Sequence, residues 1–212
     1  MSELIGAIAF ILKGSVISLE LFAITAVFSI PLGIIVAFGK ISKNRILNMI
    51  LSIYTWVFRG TPLLIQVFFA YFALPALGIS LNALTAASIA FVLNYGAYFA
   101  EIFRGGIISI EPGQFEAAKA LGMNYWQAMI RIIIPQAFRN TLPSVCNEAV
   151  ILIKDTSLIA VIGVGDLLRN SKEIVTKHFV IYPFLMAGIT YLLITTVILL
   201  VFRKIEKKYS VY

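Results

Sequence analysis

The chain has 212 residues, 60% of them hydrophobic and only 13% charged, with a formal net charge of +7. A soluble domain is nearer ~25% charged and ~45–50% apolar, so a water-soluble fold of this length cannot hide so much apolar surface. Several runs exceed the ~18 apolar residues of a membrane span and do not alternate, which predicts a polytopic all-α membrane protein and excludes a β-barrel.

In chain order, Leu4, Ile5, Ile8, Ile11 and Leu12 follow helical spacing up to Lys13-Gly14. This stretch is short for a span and suits a helix lying at the interface. The first span runs from Ser15 to Phe38, kinked at Pro31 and Gly33, and Lys40, Lys43 and Arg45 follow it. The second span, from about Ile46 to Leu74, is interrupted by Arg59-Gly60-Thr61-Pro62, so a bend is expected. Pro75 to Ser80 makes an uncharged turn, and the third span runs from about Asn82 to Phe103.

A polar stretch from Glu111 to Arg131 then reads as helix, tight turn, helix. Pro112 suits a first helical turn, and Gly122 can close a helix in the left-handed conformation. Asn124 can cap a second helix, with Gln127 completing a capping box. Leu121, Met123, Tyr125 and Trp126 put large apolar groups on the water side, which marks either a protein contact or a fold-back onto the membrane. The fourth span runs from about Gln136 to Ile153 with Pro143 inside it, a loop from Lys154 to Lys177 is expected to be the outer docking and gating surface, and the fifth span runs from about Phe179 to Phe202 before a basic tail. The whole is one membrane domain, residues 1–212, of five spans and an interfacial N-terminal helix.

The basic residues sit between and after the apolar runs, which is a topological bias and not a nucleic-acid footprint. With the tail in the cytoplasm, ten loop lysines and arginines fall on that side against Lys13, Arg169, Lys172 and Lys177 outside. The N-terminus is therefore expected outside, and the 111–131 hairpin in the cytoplasm. The start of the chain lacks the basic residues and cleavage site of a signal peptide. One cysteine, Cys146, excludes disulfides and a cysteine metal site, and the one histidine, His178, suits an interfacial place.

"EAAKALGMNYWQAMIRIIIP" resembles the EAA motif of ATP-binding cassette importer permeases: Glu116-Ala117-Ala118, then Gly122, Ile132, Ile134 and Pro135, with isoleucine for leucine at 134. "FRGTPLLIQVFFAYFALP", "YGAYFAEIFRGGIISIEPGQFEAAKALGM" and "KDTSLIAVIGVGDL" are similar to the polar amino acid branch of these permeases. The resemblance implies the type I importer permease fold in a bacterial inner membrane, with the hairpin as coupling helices that dock into a cytosolic ATPase. Glu116, Ala117, Ala118, Leu121, Gly122, Met123 and Tyr125 would form that contact. It also implies two ATPase copies, an external binding protein and a second permease chain, identical or related. ATP and magnesium would be held by the ATPase, since this chain has no P-loop and is not itself an enzyme.

Charges at mid-bilayer cost ~2.5–3.5 kcal/mol on insertion scales. Glu148 lies near the middle of the fourth span, with Asp155 seven residues on and ~10 Å along the same face. Such a pair lines a route for a cation, or else pairs with Arg59, Arg139 or Lys154. Asn94, Ser15, Thr85 and Thr156 are further candidates for the substrate's amino or carboxylate group, or are helix–helix bonds and caps. Glu101 and Arg104 are expected to pair structurally. Asn147-Glu148 looks most like branch members that carry arginine, lysine or histidine, so the expected cargo is a basic amino acid. The rival readings are an importer for glutamine or another polar amino acid, and an ion-coupled carrier using Glu148 and Asp155. An intramembrane hydrolase would need a nucleophile and base that the sequence does not supply.

Overall fold

A computed structural model of the protein describes residues 2–209, with side chains from residue 5 onward; 210–212 of the basic tail lie outside the described residues. No strand occurs among the described residues. The first element corrects the sequence reading. Helix α1 (Ser2–Ile41) is continuous for 40 residues, so the interfacial helix and the first span are one rod. At ~1.5 Å per residue it is ~60 Å long, twice a hydrocarbon layer. Gly14 was read as a terminator, but it is a contact: a Cβ there would lie 2.5 Å from the backbone C and O of Asp166. Its bare backbone lets a later segment pack directly on the helix.

Helix α2 (Arg45–Gly60) is capped by Asn44, whose side chain accepts from the N–H groups of Ile46 and Leu47. Helix α3 (Leu63–Phe68) leaves α2 at 103°, the bend falling at Thr61-Pro62. A π-helical turn at Phe69–Ala73 and a 3-10 turn at Leu74–Leu77 complete this path. Helix α4 (Ala83–Ile108) is central. It runs parallel to α1, and Leu21, Val67, Phe91, Tyr95, Phe99, Leu152 and Ile159 form the main core around it.

Helix α5 (Pro112–Ala120) and the short α6 (Tyr125–Ala128) form the hairpin, and a π-helical turn at Met129–Ile133 leads into α7 (Ile134–Asp155). The region 154–177, expected to be a loop, is mostly ordered helix. A 3-10 turn at Thr156–Ile162 precedes α8 (Leu167–His178), and α9 (Tyr182–Tyr209) closes the chain. Alpha-helix α1 from Ile5, α4 and α9 are each long and apolar enough to cross a membrane, and the bent pair Arg45–Gly60 with Leu63–Leu77 makes a fourth span. Helix α7, expected from the sequence to be a span, has 22 residues, enough for ~33 Å, but it carries Arg139, Glu148, Lys154 and Asp155 and is not apolar enough to be marked as one by composition.

Asn170 Nδ2 on α8 donates to the Phe10 carbonyl at 2.8 Å, and Phe138 meets Tyr209 edge-on at 5.5 Å. The start of α1 and the end of α9 therefore sit at opposite ends of the bundle. Asp166 ties the α8 end together. It is fully buried, its carboxylate accepts from the N–H groups of Leu168 at 3.1 Å and Arg169 at 2.9 Å, and the Tyr191 hydroxyl lies 3.5 Å away. Burial pushes this carboxyl above the usual carboxylate range, against the N–H bonds that favour its charged form.

Replacing Gly14 by alanine should force α1 and α8 apart, because the obstacle is backbone and cannot rotate away. Overpacking of this kind costs ~1–3 kcal/mol. A clear fall in the thermal midpoint of the detergent-purified protein is expected, and an unchanged midpoint would show that the contact is not tight.

Candidate functional site

Two regions hold the residues singled out from the sequence, one at the hairpin and one inside the bundle. In the hairpin the backbone follows the local signals closely. Glu111 precedes Pro112 at the first helical position, and α5 ends where Gly122 takes φ 78. Asn124 Oδ1 accepts from Gln127 N while Gln127 Oε1 accepts from Asn124 N, each at 2.9 Å, so the capping box is complete. Ala118, Ala128, Met129 and Ile133 are buried, where α5, α6 and the π-helical turn pack on one another.

The opposite face is open. Leu121 is 79% and Trp126 62% exposed, with Tyr125 and Ile130 exposed beside them. Phe115 stacks on Tyr125 at 5.6 Å, and these two with Glu116, Lys119, Met123 and Asn124 line a groove of about 390 Å3. Glu116, Ala117, Leu121, Gly122 and Tyr125 are exposed, Met123 is half-buried and Ala118 is buried; Glu116, Met123 and Tyr125 line the groove. Apolar groups of this size around a concave surface suit a protein contact.

Beside the hairpin, Glu101 bridges α1 and α4. Lys40 Nζ pairs with one of its oxygens and also donates to Thr55 Oγ1 at 2.6 Å; Arg104 donates to the other oxygen at 2.9 Å. The Glu101–Arg104 pair was expected. Lys40, 61 residues away from Glu101, was read only as a topological charge.

Inside the bundle, the 103° bend accounts for Asn94. Pro62 has no N–H, so the Phe58 carbonyl loses its helical partner. Asn94 Nδ2 at 2.8 Å and Gln66 Nε2 at 2.9 Å donate to it instead. Asn94 also donates to Gln66 Oε1 at 3.0 Å, so both of its amide protons are engaged. Asp155 accepts from the buried Tyr95 hydroxyl at 2.7 Å. Glu148 is half-buried on the same helix as Asp155, and the charges of Asp155 and Arg59 both act on it. Its carboxylate makes no ion pair with a described residue, because the pairs present are those of Glu101. Arg59 lies over the Tyr98 ring at 5.3 Å.

Asn94 thus belongs to a hydrogen-bonded cluster with Gln66 and the Phe58 carbonyl, Asp155 is held by Tyr95, whose ring lies 6.3 Å from that of Tyr98 under Arg59, and Glu148 lies seven residues before Asp155 on α7. The other three candidates lie elsewhere. Thr85 is in the first turn of α4, nine residues and ~14 Å along the helix from Asn94, where its N–H donates to Asn82. The Ser15 hydroxyl donates to the Leu12 carbonyl at 2.6 Å. Thr156 is fully buried and donates to the Ile153 carbonyl at 2.7 Å, on the side of Tyr191. Sequence reasoning missed Tyr95 and Gln66. The one signal for Gln66 was its place four residues after Pro62, where a freed carbonyl needs a donor.

The profile of a family described as the binding-protein-dependent transport system inner membrane component matches residues 29–211. The chain is 38% identical over 209 residues to the arginine transport system permease protein ArtQ of Bacillus subtilis, covering 98% of this chain and 95% of that one. It is 35% identical over 208 residues to the glutamine transport system permease protein GlnP of Escherichia coli, covering 97% and 95%. A crystal structure described as an amino acid ABC transporter with histidines superimposes with a TM-score of 0.91 at 32% identity over 97% of each chain. With the bent second span, the exposed hairpin after α4 and these matches along nearly its full length, the chain belongs to the binding-protein-dependent transport system inner membrane component family.

Proposed function

We propose that this chain is the permease subunit of an ATP-binding cassette importer for polar, basic L-amino acids, working by alternating access. The observation that carries the substrate class is Glu148, a half-buried carboxylate on a membrane helix with no cation paired to it among the described residues and Asp155 on the same helix. An arginine, lysine or histidine side chain would balance that charge and supply strong charge-assisted hydrogen bonds. The arginine permease among the relatives supports this reading. The glutamine permease supports the alternative of a neutral polar cargo, whose amide N–H groups could donate to Asn94 Oδ1, since both Asn94 amide protons and both ends of the Gln66 amide are engaged within the chain.

Two copies of a cytosolic ATPase, which bind ATP and magnesium, dock on the 111–131 hairpin. A second permease chain, identical or related, completes the pathway, because the polar face of α7 is left half-exposed by one chain. The N-terminus faces outward and the tail lies in the cytoplasm. An external binding protein docks on the outer segment 154–177, where Arg169, Lys172 and Glu173 can orient it electrostatically. A cross-linker placed at Lys172 should capture the binding protein in the assembled transporter, and capture only from the Pro75–Ser80 turn would move the docking face there.

The decisive experiment is a screen of amino acids for stimulation of ATP hydrolysis by the reconstituted permease–ATPase complex with its binding protein. Stimulation by arginine, lysine or histidine is expected, and stimulation by glutamine alone would overturn the basic-substrate reading.

A further inference from the structure

At the hairpin end of the bundle, the turn after α1 and the outward face of α2 enclose a groove of about 440 Å3. Its two ends differ in chemistry. Ser42, Lys43 and Arg45 form one end, and Met49, Ile53 and Trp56 form the other. Arg45, Met49, Ile53 and Trp56 recur at spacings of four, four and three, so they lie on one ridge of the helix. From Arg45 to Trp56 the ridge is ~16 Å long.

The polar end is left incomplete by the chain itself. Neither Lys43 nor Arg45 forms an ion pair among the described residues, where Glu101 takes Lys40 and Arg104, and no acidic side chain lines the groove. The Ser42 hydroxyl is buried with no hydrogen-bond partner. The other polar groups on this wall are engaged: Asn48 donates to the Lys40 carbonyl, and Ser52 donates to Asn48 Oδ1 at 3.3 Å. Two unpaired cations and an unsatisfied hydroxyl therefore stand at one end of a sleeve whose other end is apolar, with Trp56 75% exposed.

We propose that this groove binds an anionic phospholipid, its phosphate held by Ser42, Lys43 and Arg45 and an acyl chain laid along Met49, Ile53 and Trp56. A phosphate meets the two positive charges, and the acyl chain covers apolar groups that water would otherwise face. A second copy of this chain fits the face less well. Membrane helices that pack on each other use small residues to bring their backbones close, whereas this ridge is built from methionine, isoleucine and tryptophan. Two copies would also bring like charges to a shared edge.

The test is native mass spectrometry of the permease–ATPase complex exchanged into mixtures of phosphatidylglycerol and phosphatidylcholine. The parent should retain phosphatidylglycerol in preference. The Lys43→Gln/Arg45→Gln double variant should lose that preference by roughly thirtyfold, the effect of two interfacial cations, with the complex still assembled. Trp56→Ala should shorten retention while leaving the preference. Equal retention by parent and double variant would overturn the proposal. So would displacement of the lipid by inorganic phosphate alone, or a photo-cross-linker at position 56 that captures a second permease chain instead of lipid. The readout is independent of transport, so it stands or falls apart from the amino acid carried.

Discussion

Replacing Glu148 by glutamine should reduce arginine and lysine uptake by about ten- to a hundredfold while leaving assembly with the ATPase and basal hydrolysis intact. The substitution keeps the shape of the side chain and removes only its charge. A hydrogen bond to a charged group contributes ~1.5–3 kcal/mol, and that figure sets the expected range. Glu148 has no ion-pair partner among the described residues. Asp155 keeps its bond from Tyr95, which engages one of its two oxygens. Uptake of radiolabelled arginine into proteoliposomes, read beside ATP hydrolysis of the same preparation, separates loss of cargo binding from loss of folding. Arginine uptake equal to the parent's would make Glu148 a structural residue and remove the ground for a basic substrate.

Gly122→Val should uncouple ATP hydrolysis from transport, lowering the amino acid moved per ATP by about tenfold with membrane insertion unchanged. Gly122 has φ 78, which an L side chain adopts at a cost of ~1–2 kcal/mol, and a β-branched one at more. A Cβ there meets open space, so the strain is confined to the backbone of the turn. The distortion falls between Leu121 and Met123 and tilts α5 against α6, spoiling the groove that Phe115 and Tyr125 line. Gly122→Asn provides the control, because asparagine tolerates the left-handed region, and it should retain most of the coupling. If valine and asparagine behave alike, or if valine transports as the parent does, the turn geometry is not what the ATPase engages.

The sequence by itself determined the features that depend on a few neighbouring residues. The capping box of Asn124 and Gln127, the positive φ at Gly122 and the break at Thr61-Pro62 all follow from local chemistry, and all are present. Length and composition likewise mark α1, α4, α9 and the bent second path as apolar enough to cross a membrane, whereas α7, with Arg139, Glu148, Lys154 and Asp155, is not marked by composition. Only the tertiary structure decided who meets whom across helices. Tyr95 holds Asp155 from 60 residues away, and Asn94 reaches the Phe58 carbonyl across 36. Glu101 is closed by Lys40 on another helix, and the backbone of Asp166 rests on Gly14 within α1. In a water-soluble helix, an apolar stripe reveals which face turns inward. A membrane helix is apolar toward both lipid and neighbour, so its rotation is set by packing, and with it the partners of every polar side chain.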